Sequence, residues 1–270
     1  MQPQALGLYG ALRRDGGTAL RRFPVGGQGV VVMMLCGQTA RDIAAHARSR
    51  PQEEICGFVL SDGRYLPLDN VAQRPSETFE IAPEAWREDA AAVVHSHPAG
   101  EPFLSGADRQ SQVLTGLPWV LYTGGRLKVF RCCPHLRGRV FAYGTADCGA
   151  LVRDAYMLAG IGLPDGVRTD LDGDAARGRL PEHLAVCGFA VSDGLEAGDV
   201  LLTVHGGNPS HLALYLGQGR ILHHAYNQLS RRERLTDWWR ERIHSVWRHP
   251  LWQAGMAQAV ENDLMHTVTI

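Results

Sequence analysis

Two groups of residues in this chain have types and spacings suited to chemistry. The first is His95-Ser96-His97-Pro98, then Ser105 and Asp108, with Glu54 upstream. Imidazoles separated by one residue share a strand face, because side chains alternate. Asp108, one turn into a helix capped by Ser105, can return a carboxylate to that face. Three N/N/O ligands then leave a fourth position open, the donor set of a catalytic zinc. Glu54, just ahead of an apolar strand, is placed to take a proton from water, and Ser105 to donate to a developing oxyanion. The second group is Cys148 at a helix start, where first-turn N–H groups and the helix dipole favour a thiolate nucleophile. His211, at the head of a strand, is its base, and a third polar group must orient that base. If Gly217-Gln218-Gly219 form a three-residue turn, His211 lies opposite Ala225 and His223 shares its face; a two-residue turn substitutes His224. Periodicity leaves both histidines open.

Singly, each residue has a plainer role. His95 and His97 can end a strand, Ser105 can cap a helix with Asp108 at its dipole, and Cys148 can be an inert buried thiol. The joint patterns argue for chemistry. Cys36, Cys56, Cys132, Cys133 and Cys187 form no C-x-x-C pair and are assigned to packing or chance, as reduced thiols.

The elements that must position these groups follow from periodicity. Residues 1–36 are Gly-rich and aperiodic and are expected to be a disordered or mis-annotated extension, with Met33 or Met34 as an alternative start. Arg21-Arg22 before Val30–Cys36 is too slight for a signal peptide, and that apolar run is far below the roughly 20 residues of a membrane span. A helix is expected over 39–50 behind a Thr39-x-x-Asp42 cap, and a hairpin over 55–60 and 65–71. A helix from Pro83 to about Ala90 follows, then a strand over 92–97, a helix from Ser105, and strands over 118–122 and 127–131 about Gly124-Gly125. This α/β domain is expected over 37–133, with a linker at 134–138.

The second domain, α+β, is expected over 139–250. It has a helix from Cys148 closed by Gly160 and Pro164, a short helix near Pro181, a strand running from 197 to 204, and a hairpin of 211–216 with 220–226. Residues 251–270 form a tail without a readable signal. Two domains suit 270 residues. With 27 Lys plus Arg against 28 Asp plus Glu, the chain offers no basic surface for nucleic acid or anionic lipid. Apolar residues at 45% and charged at 20% are ordinary for a folded chain.

Three resemblances sharpen these readings. Glu54-x-Cys56-Gly57 followed by His95-x-His97-Pro98, Ser105 and Asp108 resembles the JAMM (MPN-plus) metalloproteases over about residues 38–131. That implies a cytidine-deaminase-like α/β fold, one zinc held by His95, His97 and Asp108, Glu54 as base and Ser105 as oxyanion support. Tyr143-x3-Asp147-Cys148, then His211-Leu212-Ala213-Leu214-Tyr215-Leu216-Gly217, then a histidine twelve residues on, is similar to the NlpC/P60 papain-like cysteine peptidases. That spacing selects His223. Gly149-Ala150 stands where cell-wall members usually carry Ser-Gly. The two domains in one short chain resemble the tail assembly protein K family of lambda-like tailed phages and prophages. The resemblance implies a protein made in the host cytoplasm without a signal peptide. It would act from the virion tail tip, among other tail-tip proteins, on stem peptides of the host peptidoglycan. It does not imply a substrate for the first domain. A mainly structural assembly factor and a cellular wall-remodelling peptidase are the competing readings, the latter disfavoured by the missing secretion signal.

Overall fold

The computed structural model describes residues 35–98, 100–165 and 178–265. The chain divides into two compact units, Met1–Cys133 and Pro134–Ile270. The extension expected over 1–36 lies outside the described residues up to 34. Leu35 and Cys36 instead belong to the first unit. Leu35 packs on its core, and Cys36 caps helix α1 (Gly37–Ser49), its sulfur accepting from Thr39 N at 3.4 Å. The cap expected at Thr39 is therefore three residues earlier. Thr39 is buried inside the helix, and its hydroxyl donates to Gly63 O.

In the first unit, Ile43 and Ala47 of α1 join Ile55, Val59, Ala92, Val94 and Val120 in one core cluster. The sheet runs β2-β1-β3-β4-β5, with β1 Cys56–Leu60, β2 Tyr65–Leu68, β3 Ala90–Ser96, β4 Trp119–Thr123 and β5 Arg126–Phe130. β1 is buried along its whole length because β2 and β3 flank it. β2 carries Pro67 and lies at the edge, where a missing N–H is tolerated. It stops at Leu68, short of the expected Val71; beyond it, Asn70 turns the chain by accepting from Ala72 N and Glu80 N. The helix expected from Pro83 to Ala90 is one 3-10 turn, Pro83–Ala85. Trp86 is already extended, and β3 claims Ala90. β3 and β4 are parallel, and α2 (Gly106–Thr115) connects them and ends at a left-handed Gly116.

The second unit has a six-stranded antiparallel sheet, β10-β9-β8-β7-β11-β6. Its elements are α3 Cys148–Leu158, α4 Arg179–Val186, β6 Ala190–Ser192, β7 Val200–His205, β8 Asn208–Gly217, β9 Arg220–His223, β10 Arg231–Arg234, α5 Asp237–Arg240, β11 Ile243–Arg248 and α6 Ala257–Leu264. β7 begins at Val200, not at 197, because Gly198 turns with φ +100 beneath the Trp252 ring; a Cβ there would lie 2.2 Å from that ring. A side chain at 198 has no room.

Two expectations about this unit's limits are corrected. The segment 134–138 is packed rather than a linker. Leu136 is fully buried and its N–H donates to Asp263 at 2.7 Å, while His135 Nδ1 lies 3.0 Å from the other oxygen of Asp263. Arg139, just after it, pairs with buried Asp154 at 2.6 Å. Residues 257–264 form a helix with Ala259, Val260 and Leu264 buried, so much of the expected tail is core. Val260 and Leu264 each contribute about 1.5–3 kcal/mol when withdrawn from water, and Asp263 satisfies an otherwise orphaned backbone donor. A fragment limited to 139–250 is therefore expected to lack cooperative thermal unfolding, whereas 134–265 unfolds in one sharp transition. Calorimetry of the two fragments checks this. A sharp transition in the shorter one would show that these contacts are dispensable.

Candidate functional sites

In the first unit, β3 delivers His95, fully buried, and the chain just beyond it delivers His97. Alternation puts both rings on one face, with their Nε2 atoms 3.1 Å apart. α2 returns Asp108, whose Oδ2 lies 3.5 Å from His95 Nε2 and 3.3 Å from His97 Nε2. The local reason is a capping box. Ser105 Oγ accepts from Asp108 N at 3.1 Å, and Asp108 Oδ2 accepts from Ser105 N at 2.8 Å. Capping and convergence on the histidines are therefore one geometry, because the cap is what aims the carboxylate.

One ligand atom from each of His95, His97 and Asp108 lies within 4.8 Å of the others. His97 Nδ1 donates to Glu101 O at 2.9 Å, which leaves the Nε2 lone pair for a metal. Phe79 stacks on His95 at 4.9 Å, and Trp119 meets the same ring edge-on at 5.2 Å, fixing its plane. Burial opposes the charge of Asp108, but the two imidazoles hold its carboxyl well below the carboxylate range. Glu54 is buried next to β1; burial, and then the Asp108 carboxylate, push its carboxyl up to about 8, with His97 opposing.

In the second unit, Cys148 is the first residue of α3. Its predecessor Asp147 caps the helix by accepting from Ala150 N at 2.8 Å and also ties down Gly144 N at 2.6 Å. A cavity of about 730 Å³ is lined by Cys148, His211 and His223 together with Tyr143, Glu233 and Trp239, among others. His224 is not part of its lining. It is fully buried, edge-on to Phe141 at 5.2 Å. The hairpin explains the sorting. Gly217 pairs with Arg220 across a two-residue turn in which Gln218 and Gly219 both have positive φ, but a bulge at Leu216 then resets the register, so that Ala213 pairs with His223. The His211 and His223 rings meet edge to face at 5.4 Å.

Three further cavity residues, Glu233, Trp239 and His205, lie in sequence text without a catalytic pattern. Glu233 lies on β10, whose Arg-Arg-Glu-Arg text reads as a solvated charge run but is a charged sheet edge. Its Oε1 is 3.1 Å from His223 Nε2. Trp239, from the short α5, packs at 4.7 Å on His223 and 5.8 Å on His211. His205, at the end of β7, meets the His211 ring at 5.5 Å on an edge-to-face contact.

Burial pushes His211 well below the ordinary histidine range, and neighbouring imidazoles add to this. Burial likewise takes His223 down from 6.5 to about 4, although Glu233 pulls it up. Both rings are thus neutral near pH 7. Below pH 6.5, the ordinary value, the unfolded chain takes up protons that the folded unit refuses until pH nears 4. The unfolding midpoint is therefore expected to be level above about pH 7 and to fall steadily as pH drops from 6.5 to 4. A midpoint level across that window would show the histidines to be solvated.

Residues 38–133 match the family of prokaryotic homologs of the JAB domain, and residues 138–248 match the NlpC/P60 family. The tail tip assembly protein K of Escherichia phage lambda is 44% identical over 197 residues, covering 70% of this chain and 99% of that protein. The tail tip assembly protein K of Escherichia phage N15 is 31% identical over 230 residues, 78% of this chain and 94% of that one. A desampylase of Haloferax volcanii is 32% identical over 103 residues, 30% of this chain and 74% of its own length.

Proposed function

Because the chain belongs to the tail tip assembly protein K family, with a JAB-like unit followed by an NlpC/P60 unit, we propose that it is a tail-tip peptidase that cuts stem peptides of the host peptidoglycan. The observation that carries this reading is the convergence of Cys148, His211 and His223 on one cavity. The Cys148 sulfur attacks the peptide carbonyl while His211 takes the thiol proton and later returns it to the leaving amine; water then releases the acyl group from sulfur. His223 orients His211 throughout. Its partners are the wall peptide and neighbouring tail-tip proteins, and its place of action is the host envelope reached from the virion tail tip. Among the described residues no helix is long and apolar enough to cross a membrane.

The first unit is proposed as a zinc peptidase, on the fit of His95, His97 and Asp108 to an N/N/O donor set. Zinc bound there would supply a Lewis acid for water and carbonyl activation. Glu54, buried beside this donor set, would take the proton from that water. The Ser105 hydroxyl accepts from Asp108 N and keeps its own proton to donate to the oxyanion. Incubating the full chain with purified peptidoglycan, and reading new amino termini, tests the main reading. Release that persists in Cys148→Ala would reject it in favour of an assembly role.

A further inference from the structure

An imidazole serves as orienter only in one tautomer, and the tautomer is set by whatever faces its other nitrogen. To accept from the ring of His211, His223 must keep a lone pair on the nitrogen that faces it and carry its proton on the other. His223 Nε2 lies 3.1 Å from Glu233 Oε1, within ion-pair distance although off the line of a hydrogen bond, and Nδ1 likewise has no hydrogen-bond partner among the described residues. That carboxylate is itself fixed. Trp239 Nε1 donates to Oε1 at 2.6 Å and Arg231 Nε to Oε2 at 2.9 Å. Two donors aimed at its oxygens suit an ionised group, which has no proton to give; the proton between Glu233 and His223 therefore belongs to Nε2. With the proton on Nδ1 instead, a nitrogen lone pair would face an anionic oxygen at that same 3.1 Å.

Resting on the peptidase reading, we propose that Glu233 is a positioning residue for the cysteine site, fixing His223 as the Nε2–H tautomer and so leaving Nδ1 as the acceptor for His211. The other ionisable groups around His223 do not compete for this role. Arg231 is a permanent donor already bonded to Glu233, His211 is the group being oriented, and His224 is turned into the core against Phe141. Glu233 thus acts two residues away from the thiol, and nothing requires it to touch substrate.

The test uses the full chain. Nitrogen-15 NMR of the histidine rings is expected to show His223 protonated at Nε2, and a mixture of tautomers in Glu233→Ala. With soluble stem-peptide fragments, Glu233→Ala is expected to lower kcat about 10-fold or more with KM little changed. Glu233→Gln, whose amide oxygen still faces Nε2–H, should recover most of that loss. In a His223→Asn background the amide oxygen is a fixed acceptor, so adding Glu233→Ala should cost no further rate. A wild-type His223 protonated at Nδ1, a tautomer unmoved by Glu233→Ala, or a loss confined to KM would overturn the proposal. Absence of any hydrolysis by the wild type, with the Nε2–H tautomer in place, would instead reject the peptidase reading and leave the tautomer assignment standing.

Discussion

Cys148→Ala is expected to reduce peptide release from purified peptidoglycan to background while leaving the fold intact. Cys148 is the first residue of α3, and Asp147, not the thiol, supplies the helix cap, so removing the sulfur leaves the helix start in place. Cys148→Ser should fail equally, because a serine hydroxyl beside a base matched to a thiol stays protonated and is a poor nucleophile. His211→Ala should match both. The two adjacent histidines then separate mechanism from packing. His223→Ala is expected to lower kcat per folded molecule by about 10-fold or more, since its ring lines the cavity against that of His211. His224→Ala should not. Its fully buried ring packs on Phe141, so its loss lowers the melting temperature and leaves kcat per folded molecule nearly unchanged. Peptide release and thermal melting measured on the same five variants decide the assignment, and an exchange of the His223 and His224 kcat effects would refute it.

Zinc analysis of the full chain is expected to give one equivalent, lost in His97→Ala. His97 is the informative ligand to remove. His95 is fully buried between Phe79 and Trp119, so its loss would also disturb the core. With only His95 and Asp108 left, affinity should fall by more than about 100-fold, beyond the 10- to 100-fold typical of supporting residues. Asp108→Asn separates ligation from capping, because an amide oxygen can still accept from Ser105 N but a neutral amide is a poor partner for the cation. It should keep α2 and lose zinc. Glu54→Gln should keep zinc and lose whatever hydrolysis the first unit performs, as a base without a first-ligand role. Chelators should leave wall hydrolysis by the Cys148 site untouched. Equal zinc in the wild type and His97→Ala would reject the site.

What the sequence determined by itself is what one element's backbone repeat controls. Two residues apart on a strand put His95 and His97 together, three residues along a helix start aim Asp108 back through its cap, and Asp147-Cys148 marks the first turn of α3. Strands with continuous apolar text, such as β1, were legible for the same reason. Tertiary structure decided what depends on pairing between distant segments. That His223 rather than His224 lines the cavity turns on a single bulged residue, Leu216, since one residue of slip exchanges the faces of a strand. Glu233 reaches the site from a sheet edge whose text is all charge, and 134–139 joins the core because Asp263, over a hundred residues on, accepts Leu136 N. Residues such as these have no local signature, because the partners that bury or bond them are brought close only by the folded chain.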